Sequence, residues 1–570
     1  MAVPAMAFCA AGALAMAGDA VYRRTIERVT SLDPADAASV YASRCVALVY
    51  EPLLEYDYSA RPYALRPCLA AEMPEVSDDG LRYTFRIDTN ATFTADACFG
   101  LDETGAPLAR HVEAEDFVYS FKRLADAKLA SSGYWILDGR VKGIGAFREA
   151  SKGEGPTDYS LEVEGLRADG PDRLVITLEA PSPVFLWQLA MPYAVAVPRE
   201  AVEHYGGHFR DHPVGTGPYR LARWRRNYSL RFARNTGWER WKGCAGRPFD
   251  ELYFPTMDDP STQWLAFLAG ELDLQGEIPR DNWEEVVDGD GALAPAMAAR
   301  GISLETAPTL EVGYIGINMR DPLLGRNKKL RQALNAAFDQ ERWERFNRGR
   351  AIGSNGPVPP SVAGADMSPL PFGRGVEAAR RLLAEAGFKD GIDPATGRRL
   401  RLVLDIGKTT QEMRESTDLI VAFMGECGID LVPEYQTWPS FLKKISEGRS
   451  QLFRIAWVGD YPDAENFLQL FYGPNASPGP NRCNYMNPEY DAMFREAMAA
   501  GPERRLELYG EMQRMLKEEC PWVFVSHAMS AALAGPRVAG YRAHDFPYGM
   551  EKHLRFQRRD AEAQRLSGGD

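Results

Sequence analysis

The chain has 570 residues, 45% hydrophobic and 25% charged, so it is long enough for several domains and typical of folded proteins. Its net charge of −13 disfavours nucleic-acid binding, which usually requires a basic surface. No stretch reaches the roughly 20 apolar residues that a membrane-spanning helix needs. Residues 2–17 are uncharged and end in Ala15-Met16-Ala17-Gly18, which is typical of a cleaved export signal. We therefore predict a signal segment over residues 1–17, although the usual basic residues before the apolar stretch are missing.

Strand and helix patterns alternate along the rest of the chain. Strict alternation over residues 81–87 predicts a half-buried strand, and helical spacing over residues 113–124 predicts a helix. Residues 329–345 read as one amphipathic helix, residues 453–458 as a buried strand and residues 523–525 as a short strand. This alternation predicts an α/β protein.

The sequence contains no recognised catalytic motif: no nucleophile elbow, zinc-protease helix, phosphate-binding loop or dinucleotide fingerprint. His204, His208 and His212 recur every four residues and would share one face of a continuous helix, where they could bind a metal. A glycine pair interrupts that segment and a proline follows it, so solvated surface histidines are favoured. The eight cysteines form no C-x-x-C pair. We therefore predict no metal, no cofactor and no enzymatic activity.

The segment with the most chemical information follows the predicted strand at residues 453–458. Asp460 stands at the strand end between two large aromatic residues, Trp457 and Tyr461, and directly after Gly459. A carboxylate there can bind a ligand cation such as an α-amino group. It can equally cap a helix or form a structural ion pair. The residue pattern alone leaves both interpretations open.

Short motifs in a fixed order extend over nearly the whole chain, from about Tyr22 to about Phe556. They include Ser31-Leu32-Asp33-Pro34, the segments 49–54, 114–120 and 213–219, Gly270-Glu271-Leu272-Asp273, the segment 457–467 and Asn487-Pro488-Glu489-Tyr490-Asp491. These motifs and their order resemble those of the extracytoplasmic solute-binding proteins of ABC importers, family 5, which take up oligopeptides, dipeptides and similar solutes.

The resemblance implies a two-lobed periplasmic-binding-protein fold with a hinge and a small domain inserted in the first lobe. The expected boundaries are residues 18–54, 183–300 and 528–570 for the first lobe, 55–182 for the inserted domain and 301–527 for the second lobe. Hinge closure traps the solute between the lobes.

The resemblance also assigns ligand-binding roles. Asp460 matches the aspartate that pairs with a peptide's α-amino group, and Arg454 matches an arginine that can meet a ligand carboxylate. The remaining expected ligand-binding residues are the aromatics Trp457, Tyr461, Trp438 and Tyr134 and the backbone-pairing segment Ser39 and Val40. A cysteine that some members carry two residues before the aspartate is replaced by Val458, so their disulfide is absent here.

The expected function is that of a monomeric, non-catalytic component that binds a peptide or similar solute and delivers it to the membrane permease subunits of the importer. The expected location is periplasmic or otherwise extracytoplasmic. Nickel chelates, sugars and opines remain open as solutes, because this family also carries them. Two other functions remain open: an exported hydrolase, and a solute sensor or regulator built on the same fold.

Overall fold

The computed structural model of the protein describes residues 20–37, 39–288, 291–546 and 548–557. The predicted signal segment, residues 1–17, lies outside these ranges. Within them, no helix is both long and apolar enough to cross a bilayer. The seven cysteines of the described part of the chain are free thiols, and five of them are buried.

Strands and helices alternate, as the sequence predicts. The strands are Val21–Arg23, Leu54–Tyr56, Leu65–Pro67, Glu75–Val76, Arg82–Arg86, Asp96–Leu101, Pro107–Leu108, Leu166–Ala168, Arg173–Thr177, Tyr219–Arg225, Ser229–Arg234, Glu251–Pro255, Leu274–Gln275, Ser303–Ile317, Ala351–Gly353, Arg401–Ile406, Asp430–Tyr435, Leu452–Val458, Trp522–Ala534, Val538–Ala539 and Arg555–Phe556. The α-helices are Val40–Val49, Ala114–Ala125, Ile144–Ser151, Phe185–Gln188, Arg199–Tyr205, Pro260–Leu268, Trp283–Val286, Pro295–Ala298, Lys328–Ala337, Gln340–Asn347, Val376–Glu385, Gln411–Glu426, Trp438–Ser446, Glu465–Leu468, Pro488–Ala499 and Pro502–Glu519.

A four-stranded sheet forms the centre of the first lobe. Its strands lie in the order Val21–Arg23, Glu251–Pro255, Ser229–Arg234 and Tyr219–Arg225; the first pair is parallel and the others are antiparallel. A bridge between Arg24 and Leu274 extends this sheet toward the hinge. The helix Val40–Val49 buries Cys45, Val46 and Leu48 in the same core. This packing fixes the start of the helix at the lobe surface.

A second, antiparallel sheet lies within residues 55–182. Its strands are ordered Glu75–Val76, Arg82–Arg86, Arg173–Thr177 and Leu166–Ala168. The helix Ala114–Ala125 packs against the last two strands and begins with a capping box between Glu113 and Asp116. The helix also donates two hydrogen bonds from Arg123 to Asp33, at 2.9 and 2.7 Å, which join this region to the first lobe. The apolar residues of both regions form one buried cluster, and the domain boundaries stay a prediction.

The second lobe is built on a mixed seven-stranded sheet. Arg401–Ile406 pairs in parallel with Asp430–Tyr435 and with Leu452–Val458, and the helices Gln411–Glu426 and Trp438–Ser446 make the two crossovers. Alternate residues of each strand face opposite sides. Leu452 therefore enters one core and Phe453 the other.

Two long strands connect the lobes. Ser303–Ile317 and Trp522–Ala534 pair antiparallel from one lobe into the other, and their register shifts between Pro308 and Val312 and again between Gly313 and Tyr314. His527 pairs with Val312 directly beyond the first shift. Trp522–Ala534 is much longer than the pattern at residues 523–525 indicates. Small and polar residues follow the apolar run, so the sequence pattern ends early.

One predicted helix is divided. The amphipathic pattern over residues 329–345 corresponds to two helices, Lys328–Ala337 and Gln340–Asn347. Phe338 adopts an extended conformation, and the Asp339 side chain accepts a hydrogen bond from the Arg342 amide as the N-cap of the second helix. The prediction of a single helix was therefore wrong at its centre.

Candidate functional site

The site begins where the strand Leu452–Val458 ends. The Gly459 amide donates to the Leu310 carbonyl at 2.9 Å, and a Cβ atom at Gly459 would lie 2.7 Å from the Phe467 ring. Glycine is therefore required here by packing, which lets the chain turn sharply into Asp460.

Asp460 has an unbalanced charge. Its amide donates to the Asn466 Oδ1 atom at 3.3 Å, but within the described residues its carboxylate forms no ion pair. The residue is exposed on one side, yet partial burial of the carboxyl raises its pKa, an effect that the nearby Asn466 side chain opposes. The carboxylate is thus held at the surface of the second lobe without a cation to balance it.

Two tryptophans of the second lobe, Trp457 and Trp438, are among the predicted ligand-binding residues. The Trp457 indole nitrogen donates to the Asn466 Oδ1 atom at 2.9 Å, so Asn466 fixes both the indole and the Asp460 backbone. Trp438, the first residue of its helix, is 45% exposed and stacks on Phe441 with ring centres 5.6 Å apart. Trp438 therefore offers an open aromatic surface, whereas Trp457 is half-buried.

Arg454 lies on the other face of the same strand. Its Nη1 atom donates to the hydroxyl groups of Ser416 and Thr417, both at 2.9 Å, and its guanidinium lies 5.3 Å from the Trp343 ring centre. Burial lowers the Arg454 pKa to about 10. No carboxylate of the described chain pairs with it. The structure does not join Arg454 to Asp460 through any side-chain contact.

Tyr461 occupies the core. It is 4% exposed, packs with the cluster of the first lobe and the small sheet, and donates its hydroxyl to the Glu465 Oε2 atom at 2.6 Å. Burial raises its pKa. Tyr461 is thus buried in this structure, and its role in ligand binding stays a prediction.

The remaining predicted positions lie on the first lobe and beside the small sheet. Ser39 caps its helix by accepting from the Ala42 amide at 3.1 Å, and Val40 is 52% exposed. Tyr134 lies in a short 3-10 turn under the Arg148 guanidinium, 4.1 Å from its ring centre. Burial, with a contribution from Asp138, raises the Tyr134 pKa to about 12.

Sequence reasoning missed the acidic group behind Asp460. Burial raises the pKa of Glu465 to about 7, and the nearby Asp463 adds to the shift. Asp463 accepts from the Tyr509 hydroxyl at 2.8 Å. The sequence does contain three acidic residues within six positions, Asp460, Asp463 and Glu465. Only the structure shows which of them are buried.

The three spaced histidines do not share a helix face. The helix Arg199–Tyr205 ends at Gly206, which has a positive φ of 51°, and a 3-10 segment Gly206–Asp211 follows. The His212 ring instead stacks on Tyr205 at 4.8 Å. Among the residues that the structure describes, no group of three or more potential ligands could hold a metal ion.

The fold and this site define a class of protein: two α/β lobes joined by paired strands, with an exposed aromatic residue and an unpaired carboxylate at a strand end. The sequence profile of the bacterial extracellular solute-binding proteins, family 5 (middle region), matches residues 64–479. The chain belongs to this family. It is accordingly an extracytoplasmic solute-binding component of an ABC importer.

Individual relatives are similar over most of their length. Heme-binding protein A of Haemophilus influenzae is 26% identical over 519 residues, covering 88% of this chain and 85% of the relative. Di/tripeptide-binding protein 2 of Pseudomonas aeruginosa is 25% identical, covering 85% and 88%. The unliganded open form of the periplasmic murein tripeptide-binding protein MppA has the same fold, with a TM-score of 0.78, 22% identity and coverage of 95% and 98%.

Proposed function

We propose that this protein traps a short peptide between its lobes, holds the peptide's amino terminus on Asp460 and delivers it to the importer's permease without cleaving it. The single observation that carries the proposal is the Asp460 carboxylate, which is partly desolvated and unpaired within the described residues. A charge kept in this state is stabilised when a ligand cation reaches it.

Other features support a peptide as the solute. Trp438 presents an open aromatic surface on the same lobe, and such surfaces accept varied side chains by apolar contact. Arg454, which donates hydrogen bonds to two hydroxyl groups and to no carboxylate of the described chain, can complement a ligand carboxylate. One relative is named as a di/tripeptide-binding protein, and the name of another, heme-binding protein A, makes heme the competing solute.

Native mass spectrometry of freshly purified protein tests the solute directly, since a trapped peptide copurifies with a tightly closed protein. A thermal-shift screen then compares di- to pentapeptides with heme, a sugar and a nickel chelate. Ligand at a hundredfold excess over Kd stabilises the folded state by about 2.7 kcal/mol. Stabilisation by heme or by a chelate, with none by any peptide, contradicts the peptide assignment.

The same peptide mixture tests the absence of catalysis. After prolonged incubation with the pure protein, we expect every peptide to be recovered intact by mass spectrometry. Steady cleavage that follows the protein through successive purification steps would instead favour an exported hydrolase.

A further inference from the structure

A cavity of about 200 Å³ lies in the first lobe, behind the helix Val40–Val49. Charged and aromatic side chains surround it: Tyr22, Arg24, Arg44, Tyr541, His544 and Glu551. Ser530 of the hinge-crossing strand completes the wall. Since one water occupies roughly 30 Å³ in the liquid, the cavity can hold several waters or one small ligand.

Arg44 is the unusual group in this cavity. Three arginines of the described chain are buried. Arg123 makes two hydrogen bonds with Asp33, and Arg331 donates to Glu519 and to backbone carbonyls. Arg44, only 7% exposed, has a buried Nε atom without a hydrogen-bond partner and forms no ion pair within the described part. A buried guanidinium normally has such partners, so one is missing here.

Further polar atoms around the same cavity also lack partners. They are the Tyr22 hydroxyl, one Glu551 carboxylate oxygen and the His544 Nε2 atom. Glu551 faces Arg24 at 3.8 Å, too far for a hydrogen bond. Four unpartnered polar atoms around one space indicate a site built for a polar occupant.

The net charge of the residues that line the cavity indicates the charge of the ligand that it favours. Arg24 and Arg44 are both cations, and Glu551 is the single carboxylate among the cavity-lining residues. Burial lowers the pKa of His544 to about 3, so this imidazole is neutral. Burial, with the repulsion of Arg24, lowers the pKa of Arg44 to about 10, which leaves it charged at neutral pH. The lining therefore has one positive charge in excess.

We propose that this cavity binds one carboxylate, with the Arg44 guanidinium as its main donor and the Tyr22 hydroxyl as a second. Arg44 lies on the helix that begins at Val40, four residues after the exposed start of that helix. Two sources are open for the carboxylate: the solute in the cleft, which rests on the proposed function, and a free carboxylate in solution, which does not.

The first experiment uses acetate as the probe and acetamide as its uncharged isostere. Acetate replaces fluoride at constant ionic strength while the melting temperature is followed. We expect acetate, but not acetamide, to raise the melting temperature of the wild type, and Arg44→Met to abolish that rise. Arg326→Met, at an exposed position, is the matched control and should keep it. No acetate effect in the wild type, or an equal effect in Arg44→Met, overturns the proposal.

The stability of the variants adds a second test. Arg44→Met removes a desolvated charge without removing an observed partner, so its melting temperature without acetate should not fall below that of the wild type. If the methionine variant does not fold, Arg44→Lys keeps the charge but loses the fork geometry. It should weaken acetate binding at least tenfold. Undiminished acetate binding by the lysine variant overturns the assignment of Arg44 as the main donor.

Peptide pairs that differ only by Glu or Gln at one position show whether the bound carboxylate comes from the solute or from the solution. If the solute supplies the carboxylate, the wild type prefers the Glu peptide by about tenfold or more, and Arg44→Met loses that preference. If the anion is free, Arg44 affects acetate and not the peptide pair. The acetate result stands even if the protein binds no peptide, so failure of the peptide assignment is distinguishable from failure of this site.

Discussion

Replacing Asp460 by asparagine tests whether this residue binds the amino group of a peptide ligand. The substitution keeps the shape of the side chain and removes its charge. Because the carboxylate has no cation within the described residues and its pKa is raised by burial, the empty protein should not lose stability. The effect should appear only when a ligand is bound.

The expected loss of affinity follows from the charge left unpaired in the closed cleft. Removing one partner of a buried charge pair costs about 2–5 kcal/mol. At about 1.4 kcal/mol per tenfold change, peptide binding should weaken roughly 30-fold to several-thousand-fold. Asp418→Asn, on the exposed face of the helix Gln411–Glu426, is the control and should bind as the wild type does.

Calorimetry on a double cycle provides the assay. Acetylating the peptide's amino group should weaken binding to the wild type by about the same factor as the substitution, and it should have little further effect on the Asp460→Asn protein. If acetylation weakens binding equally in both proteins, Asp460 does not bind the amino group and the reasoning fails.

Three further predictions concern the folded state. Because burial raises the pKa of Glu465 to about 7, its carboxyl contributes stability below about pH 4.5 that is lost as pH rises through 7. The free energy of unfolding of Glu465→Gln, measured by urea titration, should therefore exceed that of the wild type by roughly 3 kcal/mol at pH 8 and equal it near pH 4. A difference that does not change with pH would contradict this. Arg123→Met should cost roughly 3–5 kcal/mol by leaving Asp33 buried and unpaired, and adding Asp33→Asn should recover part of the loss in the same titration. Gly215→Ala places a Cβ atom 2.1 Å from a backbone carbonyl and should lower the melting temperature, whereas Gly207→Ala, with open space, should not.

Local patterns predicted much of the second lobe and the small sheet. The alternation over residues 81–87 corresponds to the strand Arg82–Arg86, whose residues alternate between buried and partly exposed. Asn487 and Pro488 form a local helix start, because the asparagine side chain accepts from two amides of the first turn. Such features depend on residues near in sequence, which is why the sequence alone defines them.

Features that depend on distant contacts were not predictable. The pattern at residues 523–525 gave no sign of a strand reaching Ala534, since its hydrogen bonds are made to a strand more than 200 residues away. Nothing in the sequence indicates that Tyr461 is buried, because the cluster that covers it is made of residues distant in the chain. The sequence also does not distinguish Arg44 from other arginines. Only the structure shows that its buried Nε atom has no hydrogen-bond partner.

The paired crossing strands restrict how the two lobes can move. The two strands are part of the seven-stranded sheet and resist shear along their length, because each sliding step of one residue would break the ladder between Ser303–Ile317 and Trp522–Ala534. Bending across the strand pair is easier, and the ladder is interrupted by register shifts between Pro308 and Val312 and between Gly313 and Tyr314. We therefore expect the lobes to move mainly by rotation about this crossing. A closure confined to such a rotation would enclose solutes of different side chains along the same trajectory, and the outer surface of the closed protein would be the same whichever one is inside.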